Sequence, residues 1–302
     1  MNFVDQQRRN RRRTQLLFAA FAALFAAVGL SVDVTLIGAP LPIATLAALA
    51  IASGTAWLGW RNGADWVLQS LLAEPLQPSD PEHQQLDHIT TEMAIAAGLP
   101  RPRLFVIPDP SPNALAAGRD PAHAVLAVTA GALALLDREE TQGVVAHEMA
   151  HIGNRDTAVM TLVSVLFGGL LMLADWARRN LWLSRQRGAS PAVWLPLLVA
   201  VLVLLTPLLS RILAMAVSRR REYQADATAV QLTRNPEGLA RALEKIAASE
   251  FPLRAATRGT AHLFLVSPLR RRVDQHEGAW ASLFATHPPL AQRVALLRGL
   301  AS

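Results

Sequence analysis

The stretch that decides the reading is "VVAHEMAHIGNRD", Val144 to Asp156. His147 and His151 stand one helical turn apart with Glu148 directly after the first. On an α-helix both imidazoles therefore project from one face, in position to share a metal ion. Chance alone would place H-E-x-x-H in roughly one chain in a hundred of this length. The bland alternative is an ordinary helix with paired surface histidines, so the surrounding sequence has to decide.

Working outward, Asp137 and Glu140 form a capping box that starts the motif helix near Arg138 and puts the histidines on its later turns. A zinc hydrolase uses three protein ligands and leaves the fourth position to water. The chain has no cysteine, so the missing ligand must be a histidine or a carboxylate. The best candidate is Glu222 in "SRRREYQADATAV". Asp226, one turn on, shares its face and can serve the free N–H of a ligand histidine. In isolation such a pair reads more naturally as a solvated helix face with arginine partners.

The layout changes that balance. His151 precedes one apolar segment, Ala158 to Trp176, and Glu222 follows another, Ala192 to about Val217. An up-and-down hairpin returns both to one membrane face, with His151 roughly 9 Å of helix from its span. Two earlier apolar segments, Leu16 to about Ile37 and Leu41 to Trp60, form an N-terminal hairpin. Each segment approaches the roughly 20 residues needed to cross a bilayer. A cleavable signal peptide fits less well, because a second span follows almost at once.

The chain has 302 residues, about half of them hydrophobic, and a net charge of +6. Its basic residues, almost all arginine, flank apolar runs, notably Arg8 to Arg13 and Arg219 to Arg221. That placement reads as membrane flanking and excludes a nucleic-acid partner as the reason for the charge. The N-terminal arginines and Arg61 put the polar parts in the cytosol. Arg178, Arg179, Arg185 and Arg187 oppose this in part: either the first hairpin's signal dominates, or the second hairpin is only partly inserted.

Between these segments the pattern predicts an amphipathic helix over roughly 82–97 and short strands at "RLFVI" and "AVLAVT". "PDPSPNALAAGRD" reads as a loop with an edge strand, and capped helices follow Asn235 and "THPP". The expected organisation is mainly α with a small β-sheet and about four transmembrane helices. Residues 1–61 form an N-terminal hairpin, 62–156 and 218–302 a cytosolic metalloprotease domain, and 157–217 a second hairpin inserted between the ligand motifs.

"HEMAH" followed by "NRD", paired apolar segments, "EYQAD" and a late "THPP" together resemble the HtpX-type membrane metalloproteases, relatives of the CAAX prenyl proteases. The resemblance covers nearly the whole chain. It implies a gluzincin-type zinc endopeptidase of the bacterial inner membrane, multi-pass, with a cytosolic catalytic domain and a role in quality control of membrane proteins. His147, His151 and Glu222 would then hold one Zn²⁺, Glu148 would be the general base that activates the metal's water, and Asp226 would orient a ligand.

On the same resemblance His287 would stabilise the oxyanion, while Asn113 and Ala114 would begin a substrate-binding edge strand. Leu115 and Ala117 stand where the family commonly has an aromatic residue and a threonine. Asn154 and Asp156 would support the motif helix or contact arginine. His83, His88, His123, His262 and His276 fit no ligand spacing and read as surface residues. The expected partners are membrane-protein or unfolded polypeptide substrates and the lipid bilayer. Alternatives are a CAAX-type processing protease and a non-catalytic metal-binding scaffold or holdase, against which the presence of Glu148 argues. Residues 250–272 could cover the cleft.

Overall fold

In the computed structural model the described residues are 3–34, 42–166, 219–257, 259–266 and 288–300, with Gly168 and Arg179 as isolated positions. The expected fourth span, about half of the third, His276 and His287 lie outside them.

The chain opens with α1 (Phe3–Val32) and α2 (Ile43–Ser70). Asp33 joins them: its carboxylate accepts from the amides of Ala44 and Thr45 at 2.8 and 2.9 Å and from the Thr45 hydroxyl. The acidic residue just after α1 thus satisfies donors at the start of the next helix, which have no intrahelical partner. Among the described residues one helix, α2, is long and apolar enough to cross a membrane. It runs past Arg61, where the sequence placed the end of the hairpin. Its last turns tuck Val67, Leu68 and Leu71 beneath the sheet.

A short strand β1 (Glu74–Pro75) precedes α3 (Pro81–Ala97), β2 (Arg103–Ile107), β3 (Ala114–Ala117), β4 (Val125–Thr129) and α4 (Ala130–Leu135). Asp80 caps α3, and Gly98 ends it in the left-handed conformation at φ 63°, where a side chain would be strained. The strand order is β1-β2-β4-β3, with β2 parallel to β4 and the outer pairs antiparallel. Central β4, "VLAVT", is buried along its whole length, as a strand covered on both faces must be.

The motif helix α5 (Arg138–Gly153) lies across one face of this sheet and starts at the expected capping box. After it come a short helix α6 (Asp156–Leu166), then α7 (Arg219–Thr233), α8 (Pro236–Ala248) and α9 (Leu290–Gly299). The main core joins Leu126 and Val128 of the sheet to Val145 and Met149 of α5, Ile89 of α3 and Leu243 of α8. A second core, on the other sheet face, joins Leu115 and Ala127 to Val67, Met160 and Phe264.

The motif helix is consequently enclosed. A Cβ on Gly143 would stand 2.8 Å from the Leu239 backbone, so glycine is what lets α8 approach α5 this closely. Between α5 and α6 the chain turns through Asn154 and Arg155, and Arg155 takes φ 58°, an uncommon value for a residue with a side chain. That turn brings Asp156 back beside His151.

Candidate metal centre and its carboxylate partners

Helix periodicity aligns His147 and His151 on α5, and α7 packs so that Glu222 faces them. The histidine Nε2 atoms are 3.1 Å apart. Glu222 oxygens stand 3.9 Å from the Nε2 of His147 and 3.6 Å from that of His151. A tetrahedral zinc site with bonds of about 2.0–2.1 Å has edges of about 3.3 Å, so a single ion between the three side chains fits with small adjustments. All three residues are buried.

The other nitrogen of each histidine meets a carboxylate. His147 Nδ1 is 2.9 Å from Asp226 and His151 Nδ1 is 3.1 Å from Asp156. Each aspartate in turn meets an arginine. Arg293 donates to both Asp226 oxygens, at 2.8 and 2.7 Å, and Arg221 donates to Asp156 at 3.2 Å. These are paired His–Asp–Arg chains, the arrangement that fixes which ring nitrogen points at a metal. Asp156 also accepts from Asn10 of α1 at 2.8 Å, and Asn10 donates to the Asn154 carbonyl as well.

Charge and burial set the protonation states. Burial pushes the His147 imidazolium down to about 4, against the opposing pull of Asp226, so His147 is neutral. His151 is desolvated too, but Asp156 and Glu222 outweigh that and raise it to about 9. Burial raises Glu148 to about 7. Burial alone would raise Asp226 as well, but Arg293 overrides it and holds the carboxyl at about 2.

The structure brings His147, His151, Glu222, Glu148, Asp226 and Asp156 into one buried cluster, as the sequence suggested. Asn154 is the C-cap of α5 and takes part through its backbone. Asn113 and Ala114 do stand at an edge strand, but their polar groups engage the chain itself. The Asn113 amide donates to the Val266 carbonyl at 2.8 Å and accepts from its N–H, and the Ala114 carbonyl accepts from the Leu265 amide at 2.9 Å.

Sequence reasoning misplaced His262. It is buried at 2% exposure, with its Nε2 3.1 Å from Ser164 Oγ and 3.2 Å from the Met160 carbonyl, because the adjoining Leu263 and Phe264 pack into the second core instead of facing solvent. It also missed Arg293 and Asn10, and read Arg221 as membrane flanking although it is buried against Asp156.

A family model described as "Peptidase family M48" matches residues 80–301. A protein named "Protease HtpX homolog" from Lactobacillus acidophilus is 36% identical over 301 residues, spanning 96% of this chain and 97% of that one. Homologs of the same name from Caldanaerobacter subterraneus subsp. tengcongensis and Dictyoglomus thermophilum are 39% and 43% identical, covering 81% and 74% of this chain and 80% and 71% of theirs. Among solved structures, that titled "Crystal Structure of S. mikatae Ste24p" aligns with a TM-score of 0.47 and 17% identity, over 97% of this chain and 67% of that one.

Proposed function

Because the chain belongs to peptidase family M48, we propose that it is a membrane-bound zinc endopeptidase that hydrolyses misfolded or damaged membrane proteins. In this reading it is a multi-pass protein of the bacterial inner membrane, with its catalytic domain in the cytosol and its second hairpin inserted between the ligand motifs. One observation carries the chemistry: three buried ligand atoms converge while Glu148, on the same helix, stands beside them. Membrane residence is supported by the length of α2 and by Leu46, Ile51 and Trp57, which are large, apolar and more than half exposed along it.

His147, His151 and Glu222 would hold the zinc, with His147 and His151 oriented by Asp226 and Asp156. When bound, zinc lowers the pKa of a water and polarises a peptide carbonyl. Glu148 is desolvated to a pKa near the working pH, as a group that both takes and gives a proton should be. It would accept the proton of the attacking water and deliver it to the departing amine. His287 would donate to the developing oxyanion, and the β3 edge at Asn113 and Ala114 would align substrate by main-chain hydrogen bonds.

The test compares the detergent-purified, zinc-loaded chain with its Glu148→Ala variant on an unfolded reporter protein, measuring bound zinc in both. The proposal expects about one zinc in each and cleavage only by the parent, by a factor of about 10²–10⁴. Zinc in both with equal cleavage would remove Glu148 from the mechanism. Absence of zinc from both would overturn the ligand set.

A further inference from the structure

The edge of β3 that faces the metal centre is filled by the chain's own residues. Phe264 bridges antiparallel to Leu115, the Leu265 amide donates to the Ala114 carbonyl, and Asn113 clasps both backbone groups of Val266. Arg293 donates to the Leu265 carbonyl at 3.2 Å, tying the same segment to the Asp226 pair. The same bridge sets the next outward donor of the edge, the Ala116 amide, opposite Leu263. Leu263, Phe264 and Leu265 also line the cavity over His147, Glu148 and His151, leaving about 10 Å³, the space of about one water. In this arrangement no peptide can reach Glu148.

We infer that Leu263–Val266 is a built-in occupant of the β3 edge, the edge proposed above to align substrate, and that it must leave before an extended apolar polypeptide can pair there. The inference rests on the protease reading and names its regulation and substrate class. An extended segment added to a sheet edge gains affinity from main-chain bonds and specificity from pockets for alternate side chains. The occupant shows what those pockets take: Leu263, Phe264, Leu265 and Val266 are consecutive apolar residues, each no more than 7% exposed. Phe264 fills the core on one face of the sheet and Leu265 and Val266 the core on the other. A competing substrate is therefore an extended run of bulky aliphatic and aromatic residues. Such runs are hidden in folded soluble proteins and exposed in an unfolded membrane protein. Displacement is feasible because the segment joins β3 through one isolated bridge beside the Asn113 clasp, with fewer main-chain bonds than a longer strand would make.

The test uses the absence of cysteine from the full chain. Leu115→Cys with Phe264→Cys puts a thiol pair across the bridge, flanked by the Leu265-to-Ala114 bond and so at the close, roughly 4.5 Å Cα spacing that a disulfide tolerates. In detergent and zinc-loaded, the oxidised and reduced forms are compared for cleavage of an unfolded reporter. In the Glu148→Ala background, where the probe is not consumed, they are compared for binding a short labelled peptide containing Leu-Phe-Leu-Val. Expected is at least a tenfold loss of binding and cleavage on oxidation, at unchanged zinc content, restored by reduction. Leu265→Pro, which deletes the amide given to Ala114, should bind and cut several-fold better than the parent; should it fail to fold, the redox pair still decides. Equal binding by both redox forms, or binding by neither, overturns the inference. Redox-dependent binding without cleavage by any zinc-loaded form counts against the protease reading alone, and equal cleavage in both forms counts against the internal strand alone.

Discussion

Replacing Arg293 with methionine should destabilise the protein out of proportion to a single side chain. Arg293 is fully buried and donates to both oxygens of Asp226, at 2.8 and 2.7 Å. Methionine approximates its stem but leaves Asp226 buried, facing only the His147 Nδ1 at 2.9 Å among the described residues. Breaking a buried pair from one side costs about 3–5 kcal/mol. At about 2–4 °C per kcal/mol for a domain of this size, the unfolding midpoint should fall by about 6–20 °C. The assay is thermal unfolding in detergent with chelator present, so that metal binding does not mask the effect. Adding Asp226→Asn removes the stranded charge and should recover most of the loss, leaving the double variant within about 2 kcal/mol of the parent. There is also a pH signature. In the parent the Asp226 carboxyl sits at about 2, below its ordinary value of 3.8, so its contribution is present above about pH 4 and is lost as pH falls toward 2. Without Arg293, burial dominates and the loss begins at higher pH. A midpoint shift under about 3 °C, or a double variant no better than the single, would refute the reasoning.

Further outcomes follow from the same geometry. His151 is raised to about 9 and Glu148 to about 7, while a histidine ligand must be neutral. At pH 8, where Glu148 is mostly ionised, zinc uptake should release about one proton, and affinity should rise about tenfold per pH unit up to about pH 9. Calorimetry in buffers of different ionisation enthalpy measures this, and no proton release would contradict it. Asp156→Asn should weaken zinc binding about 10–100-fold. Asn10→Ala, far off in sequence but bonded to Asp156, should weaken it by a smaller factor, as read by competition with a chromogenic chelator; unchanged affinity in both would dissociate Asp156 from the site. Gly143→Ala, whose Cβ would meet the Leu239 backbone at 2.8 Å, should cost about 1–3 kcal/mol by forcing α8 off the motif helix. Gly54→Ala meets nothing within 4 Å and is the control for helix substitution as such, with no loss expected.

What the sequence revealed and what it hid divide along contact range. The motif helix was legible because its signals are local: Asp137 and Glu140 fix its start, and the four-residue spacing of the histidines fixes their shared face. The strands "RLFVI" and "VLAVT" were legible as short apolar runs bounded by proline and charge. The spacing of Glu222 and Asp226 gives them one helix face but by itself reads as a solvated one; the flanking apolar segments and the family resemblance singled them out. Arg293 was not, because an arginine on a terminal helix has the appearance of a solvated one until α9 packs against α7. Asn10 sits inside an arginine run whose obvious reading is the membrane interface. His262 and the residues after it form an apolar stretch without period, and their partner, β3, lies about 150 positions earlier.

The buried charges explain why such distant residues are needed. Glu148, Glu222, Asp156 and Asp226 bring four carboxylates into a space where Arg221 and Arg293 supply two guanidiniums. With every carboxylate ionised and both histidines neutral the cluster carries two excess negative charges, a costly condition away from water. The metal-free chain relieves it by holding a proton on His151 and partly on Glu148, the groups whose affinity for protons is raised. In the proposed reading, a divalent cation on His147, His151 and Glu222 would relieve it completely and would free His151 to act as ligand and Glu148 as base. A monovalent ion would leave a charge over, and removal of either arginine would deepen the excess. The arginines from α7 and α9 therefore set the charge that the site can accept.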